Sequence, residues 1–121
     1  MPMRCVIVDD NESFVDVART FLEQDGLSVV GVAATAAEAL RQVETLRPDV
    51  VLIDIFLGDE SGLGLAARLH EPNGGPAVIL ISTHAEADVA ELVAESGADG
   101  FLPKAELSAD AVRSLVEKRP R

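Results

Sequence analysis

The sequence predicts an α/β domain built on a doubly wound parallel sheet, a (βα)5 arrangement in strand order 2-1-3-4-5. Three observations carry this reading. Short β-branched runs alternate with amphipathic stretches from one end to the other, which calls for parallel strands with helices on both faces. The runs from Val50 to Ile53 and from Ala77 to Ile81 are continuously apolar, as strands covered on both faces are. Pro103 falls within the last run, and proline is tolerated chiefly at sheet edges or strand ends, which puts strand five at an edge.

The first strand is Cys5 to Val8, ended by Asp9 and Asp10. Phe14, Val17, Ala18, Phe21 and Leu22 recur at spacings of three and four, the buried stripe of a helix that Gly26 closes; Val15 falls off that stripe. Leu27 to Ala33 reads as the second strand. Thr35 and Glu38 have capping-box spacing, and Ala39, Leu40, Val43 and Leu46 continue a second helix that Pro48 stops. The third strand, Val50 to Ile53, ends at Asp54. A glycine-containing loop from Gly58 to Gly62 leads into a short helix through Leu69, and Pro72 to Pro76 is a turn. The fourth strand ends at Ser82 and Thr83. A fourth helix covers about Glu86 to Glu95, with Gly97 where a left-handed cap would sit. Gly100 to Pro103 is a short fifth strand before Lys104, and Ser108 caps a last helix that runs to Lys118.

Composition narrows the function. The 121 residues suit one domain, 1–121 with a core of about 4–118, and 48% hydrophobic residues can build that core without disulfides. Acidic residues number 21 against 10 basic ones, a net charge of -11. That balance argues against direct nucleic-acid binding and against an anionic membrane surface. Cys5 is the single cysteine, so neither an intramolecular disulfide nor a cysteine-rich zinc site is available. With no signal peptide or membrane-spanning run in view, the expected location is cytoplasmic.

In an open α/β sheet, ligands bind outside the carboxyl ends of the strands, at the point where strand order reverses. Strand one delivers Asp9 and Asp10 there, strand three Asp54, strand four Ser82 and Thr83, and strand five Lys104. An aspartate after a strand is often only a turn former, and Ser82 or Thr83 alone would most often cap the next helix. The coincidence at all four strand ends outweighs those readings. Two carboxylates about 4 Å apart repel by roughly 4 kcal/mol at an effective dielectric near 20. A hard divalent cation removes that cost, and Mg2+ suits such an oxygen-rich site. Carboxylate, metal, hydroxyl and lysine together suggest phosphoryl chemistry, with Asp54 the nucleophile because it lies on the central strand.

These residues, in this order and context, resemble the receiver domain of two-component response regulators, a flavodoxin-like fold, over about Arg4 to Lys118. The resemblance implies that Asp54 accepts a phosphoryl group from a phosphohistidine on a histidine kinase or phosphotransfer protein. It implies that Asp10, Asp54 and the backbone carbonyl of Phe56 hold Mg2+, with Asp9 acting largely through water. Lys104 would pair with phosphoryl oxygens. Ser82 and Phe101 would form the switch, moving inward to alter the face of helix four, strand five and helix five, where an unknown downstream protein binds. Phe56, Thr83 and His84 occupy positions that tune hydrolysis of the acyl phosphate, and a bulky Phe56 is expected to shield it. Phe14 and Val15, beside the Asp9–Asp10 loop, are the expected contacts for a phosphodonor domain.

The chain departs from the family pattern at three points. Ala105 follows Lys104 where the family usually has a cis proline, Gly58 replaces a common proline, and Thr83 stands where a small residue is usual. Two rival readings belong to other classes. A magnesium-dependent aspartyl phosphatase would carry D-x-D-x-T at its nucleophile, and the second acid is missing from Asp54-Ile55-Phe56. A phosphorylation-independent binding module would not need every chemical position filled. The protein is therefore read as a phosphoacceptor and not a turnover enzyme, with no small-molecule substrate other than phosphodonors. Gly62 and Gly64 with Ala67 match a dinucleotide fingerprint, but they follow Asp54 by eight and ten residues instead of directly following a strand. They read as glycines easing a loop into a helix.

Overall fold

A computed structural model describes residues 2–71 and 74–119. In chain order the elements are β1 (Arg4–Val8), α1 (Glu12–Gln24), β2 (Ser28–Ala33), α2 (Ala36–Leu46), β3 (Val50–Asp54), β4 (Phe56–Leu57), β5 (Glu60–Ser61), α3 (Gly62–Leu69), β6 (Ala77–Ser82), α4 (Glu86–Ser96), β7 (Gly100–Pro103) and α5 (Ala109–Glu117), with a 3-10 turn over Lys104–Glu106. The main sheet is parallel throughout and ordered β2-β1-β3-β6-β7, which is the expected 2-1-3-4-5 once the extra hairpin is set aside. Pro103 ends the edge strand, a position where a missing N–H is tolerated.

Strand periodicity divides the core. Cys5 and Ile7 of β1 with Val50 and Leu52 of β3 pack against α1 and α5, through Val15, Ala18, Leu22 and Val112. Val6, Val8, Val51 and Ile53 face the other way, onto Ala39, Leu65, Ala66, Leu69 and Val89 of α2, α3 and α4. Both faces are covered, which is why the central strands carry no polar alternation. The caps follow the sequence: Thr35 accepts the Glu38 N–H, Ser108 accepts the Ala111 N–H, and Gly97 ends α4 at φ 79°.

Several local readings need correction or addition. Val15 is buried at 5% exposure and Val17 lies open at 64%, the reverse of the expected assignment. On a 100° wheel centred on Phe14, Ala18, Phe21 and Leu22, Val15 lies about 75° to one side and Val17 about 85° to the other, so the stripe alone barely separates them. Val15 is a core residue and so is not a docking contact. The expected Gly58–Gly62 loop is the turn and return strand of an antiparallel hairpin, pairing Phe56 with Ser61 and Leu57 with Glu60. Gly58 adopts φ 58° in its turn, a conformation that proline cannot reach. Among the described residues no peptide bond is cis, so Lys104–Ala105 is trans. The expected turn at Pro72–Pro76 falls partly outside the described residues, as does the end of the chain after Arg119.

Candidate functional site

The carboxyl ends of β1, β3 and β7 converge on one group of charges. Ligand oxygens of Asp9, Asp10 and Asp54 lie within 4.8 Å of one another. Asp9 and Asp54 are buried, at 2% and 7% exposure, while Asp10 is exposed. Each buried aspartate also organises its own loop. Asp9 Oδ1 accepts the Asn11 N–H at 2.9 Å, and Asn11 in turn caps α1 by accepting the Phe14 N–H at 3.1 Å. Asp54 Oδ1 accepts the Phe56 N–H at 3.0 Å, turning the chain into the hairpin.

Lys104 crosses from the edge strand to both carboxylates. Its ammonium donates to Asp54 Oδ2 at 3.1 Å and approaches Asp9 Oδ2 at 2.7 Å. The Asp9 contact is an ion pair without hydrogen-bond geometry: Asp9 Oδ2 is buried and has no hydrogen-bond partner. The two ends of the Lys104–Asp54 pair respond differently. Burial raises the Asp54 carboxyl above the usual carboxylate range, and Asp9 repulsion adds to this, outweighing the Phe56 N–H and Lys104. Burial alone would lower the Lys104 ammonium, but its close contacts with Asp9 and Asp54 raise it on balance. One cation shared by two buried carboxylates leaves Asp54 under-compensated. Three clustered carboxylates that share one ammonium, with Asp9 Oδ2 lacking any hydrogen bond, fit a divalent cation with oxygen ligands.

Ser82, at the end of β6, is fully buried. Its hydroxyl lies 3.2 Å from His84 Nδ1 and accepts the His84 backbone N–H at 3.1 Å. Neither Ser82 nor Thr83 caps α4, whose N-cap is Ala85 with no side-chain bond. The Ser82 hydroxyl is thus engaged within its own loop and not by α4. His84 and Thr83 are exposed, and the Phe56 ring, 52% exposed, packs at 5.0 Å on His84. Phe101 is buried at 8%, so its ring already lies inward. Gly62 begins α3 against the site: a Cβ there would stand 1.9 Å from the Asp54 carbonyl oxygen.

The geometry thus brings together Asp9, Asp10, Asp54 and Lys104 directly, with Phe56 beside Asp54, and sets Ser82 and His84 on the neighbouring strand end. Two participants escaped the sequence reading. Asn11 links Asp9 to α1, and its position just ahead of an apolar-periodic run was the available signal. The Phe14 ring lies under the Lys104 ammonium at 4.3 Å, a contact that sequence spacing does not reveal. A cavity of about 530 Å³ beside Leu40, Arg47 and Leu69 lies at the opposite ends of the strands and holds none of these residues.

Residues 5–117 match the family model of the response regulator receiver domain. The chain is 34% identical to the DNA-binding response regulator MtrA of Mycolicibacterium paratuberculosis, over 86% of this chain and 45% of that protein. It is also 34% identical to a protein-glutamate methylesterase/protein-glutamine glutaminase of Hahella chejuensis, over 84% of this chain and 30% of that protein. The chain therefore spans less than half the length of these two relatives. Among solved structures, a LuxR-family two-component response regulator from Aurantimonas superposes with a TM-score of 0.86 at 27% identity, covering 98% of this chain and 88% of that one.

Proposed function

We propose, on the premise that this chain belongs to the response regulator receiver domain family, that Asp54 is its phosphoacceptor and that the domain works as a phosphorylation-controlled switch. The observation that carries the proposal is the under-compensated Asp54 carboxylate, buried beside Asp9 and reached by a single ammonium. In the transfer, an Asp54 carboxylate oxygen attacks the phosphorus of a partner's phosphohistidine. The P–O bond forms as the P–N bond breaks, and the imidazole leaves with its electron pair and takes up a proton. Lys104 is positioned to share its charge with the transferred oxygens, and burial excludes water from the acyl phosphate.

Asp9, Asp10, Asp54 and the Phe56 carbonyl would hold Mg2+. When bound, the ion supplies positive charge that offsets the carboxylate repulsion and the charge of the phosphoryl oxygens. Ser82 would exchange its His84 bond for the phosphoryl group. Because Phe101 is already inward, the signal reaching α4, β7 and α5 would come from Ser82 and its loop without a large swing of the ring. The chain would act as one domain in the cytoplasm, with a histidine kinase or phosphotransfer protein upstream and a protein partner downstream. No helix among the described residues is long and apolar enough to cross a membrane.

The test is intact-mass analysis after incubation with Mg2+ and acetyl phosphate. One phosphoryl adduct is expected, absent in Asp54→Asn and after chelation. Release of free phosphate with no adduct in any time window would instead favour a phosphatase.

A further inference from the structure

We infer that Phe14 is a positioning residue for Lys104, its ring holding the ammonium between Asp9 and Asp54. The inference rests on the proposed phosphoacceptor role of Asp54 for its effect on rate, but not for the contact itself.

The ammonium sits 4.3 Å from the centroid of the Phe14 ring while also reaching Asp9 at 2.7 Å and Asp54 at 3.1 Å. A lysine head on a flexible four-carbon stem has many rotamers, and here it must be shared between two carboxylates. The ring face supplies a third attraction, stronger when the pair is withdrawn from water. Here the Lys104 side chain is 11% exposed. Phe14 is itself fixed: it is half-buried against the core beneath α1, and its N–H is bound by Asn11, whose own N–H is bound by Asp9. Asp9, Asn11, Phe14 and Lys104 therefore form a closed circuit of contacts. The ring matters most when the carboxylates are engaged elsewhere. A hard divalent cation competes with the ammonium for carboxylate oxygens but prefers oxygen donors to an aromatic face. Phe14 keeps its hold on Lys104 whether or not those oxygens are shared.

The experiment compares Phe14→Leu, which keeps apolar bulk without a π face, with Phe14→Tyr, which keeps the face. The chain has two lysines, Lys104 and Lys118, so lysine labelled at the ε-carbon gives two NMR signals with an internal control. In metal-free wild type the Lys104 methylene protons should lie upfield of those of Lys118 through the ring current. The difference should collapse in Phe14→Leu and persist in Phe14→Tyr. With Mg2+ and saturating acetyl phosphate, the maximal phosphorylation rate should fall about tenfold in Phe14→Leu and be rescued in Phe14→Tyr. Coincident lysine signals in wild type, or a wild-type rate in Phe14→Leu, would overturn the inference. A wild type that takes up no phosphoryl group would sink the phosphoacceptor reading, while the NMR comparison still decides the role of Phe14. If Phe14→Leu fails to fold, Phe14→Met carries both measurements.

Discussion

The Ser82 hydroxyl and the His84 imidazole form a local pair, 3.2 Å from oxygen to Nδ1, reinforced by the His84 backbone N–H donating to the same oxygen at 3.1 Å. A switch hydroxyl bound in this way must give up a partner before it can serve another ligand. His84 therefore opposes the inward movement proposed for Ser82. Replacing the imidazole removes one hydrogen bond, worth about 0.5–1.5 kcal/mol net. His84→Ala should raise the affinity for beryllofluoride, a phosphoryl mimic, by about 2- to 10-fold. The gain should vanish in a Ser82→Ala background. An equal gain in both backgrounds would show that His84 acts by some route other than this hydroxyl.

Phe56 follows Asp54 by two residues, is bonded to it through its backbone N–H, and sets its ring at 5.0 Å and a 47° tilt against His84. A polar side chain there would admit and orient water. Phe56→Asn should shorten the lifetime of phosphorylated protein severalfold, followed as loss of the mass adduct after donor removal. Decay no faster than wild type would end the idea that this ring shields the acyl phosphate.

The Asp54 carboxyl is held above its usual range by burial and by Asp9. Between the ordinary carboxylate range and this raised value, the folded chain binds more protons at Asp54 than the unfolded chain does. Stability from this group is complete below the unfolded value and is lost as pH rises through the folded one. Asp54→Asn removes that penalty, so urea unfolding at pH 7 without metal should find the variant more stable than wild type. The advantage should shrink below about pH 4, where the unfolded carboxyl is also protonated. A difference that does not change with pH would contradict this assignment.

Lys104 is the counter-charge to two buried carboxylates. Removing one partner of a buried pair typically costs about 3–5 kcal/mol, because the other charge is left uncompensated. Lys104→Met should lose stability on that scale in chelator. Mg2+ should then restore more stability to Lys104→Met than it adds to wild type, because the ion no longer competes with an ammonium. Urea midpoints with and without Mg2+ test this directly, and an equal Mg2+ increment in both proteins would argue that the cation does not bind these carboxylates.

Most of the scaffold was legible because it is written in periodicities. The doubly apolar runs of β3 and β6, the proline in β7 and the caps at Thr35, Gly97 and Ser108 each have one physical meaning, and the sheet order follows from them. The strand-end residues were legible for the same reason, since the fold dictates where a strand's last residue lies. What escaped was set by finer geometry. Val15 and Val17 flank one helical stripe at offsets that differ by only about ten degrees, so periodicity alone assigns the wrong valine to the core. The hairpin of Phe56–Leu57 and Glu60–Ser61 has too few residues per strand to show alternation. The Phe14–Lys104 contact joins a helix to a strand end 90 residues away, and no local pattern encodes it. The inward state of Phe101 likewise depends on how the ring packs, not on which residue is present.

Gly62 has a consequence beyond the room it leaves. Its N–H is bonded to the Ile55 carbonyl at 2.9 Å, and its α-carbon lies where any side chain would strike the Asp54 carbonyl. The first residue of α3 is thus spliced onto the backbone that carries the acceptor. Breathing of that helix start should therefore be coupled to breathing of the acceptor strand. Amide exchange at Gly62 should accordingly slow in step with that at Ile55 whenever the site is occupied, making a silent glycine the natural reporter of a charged neighbour's state.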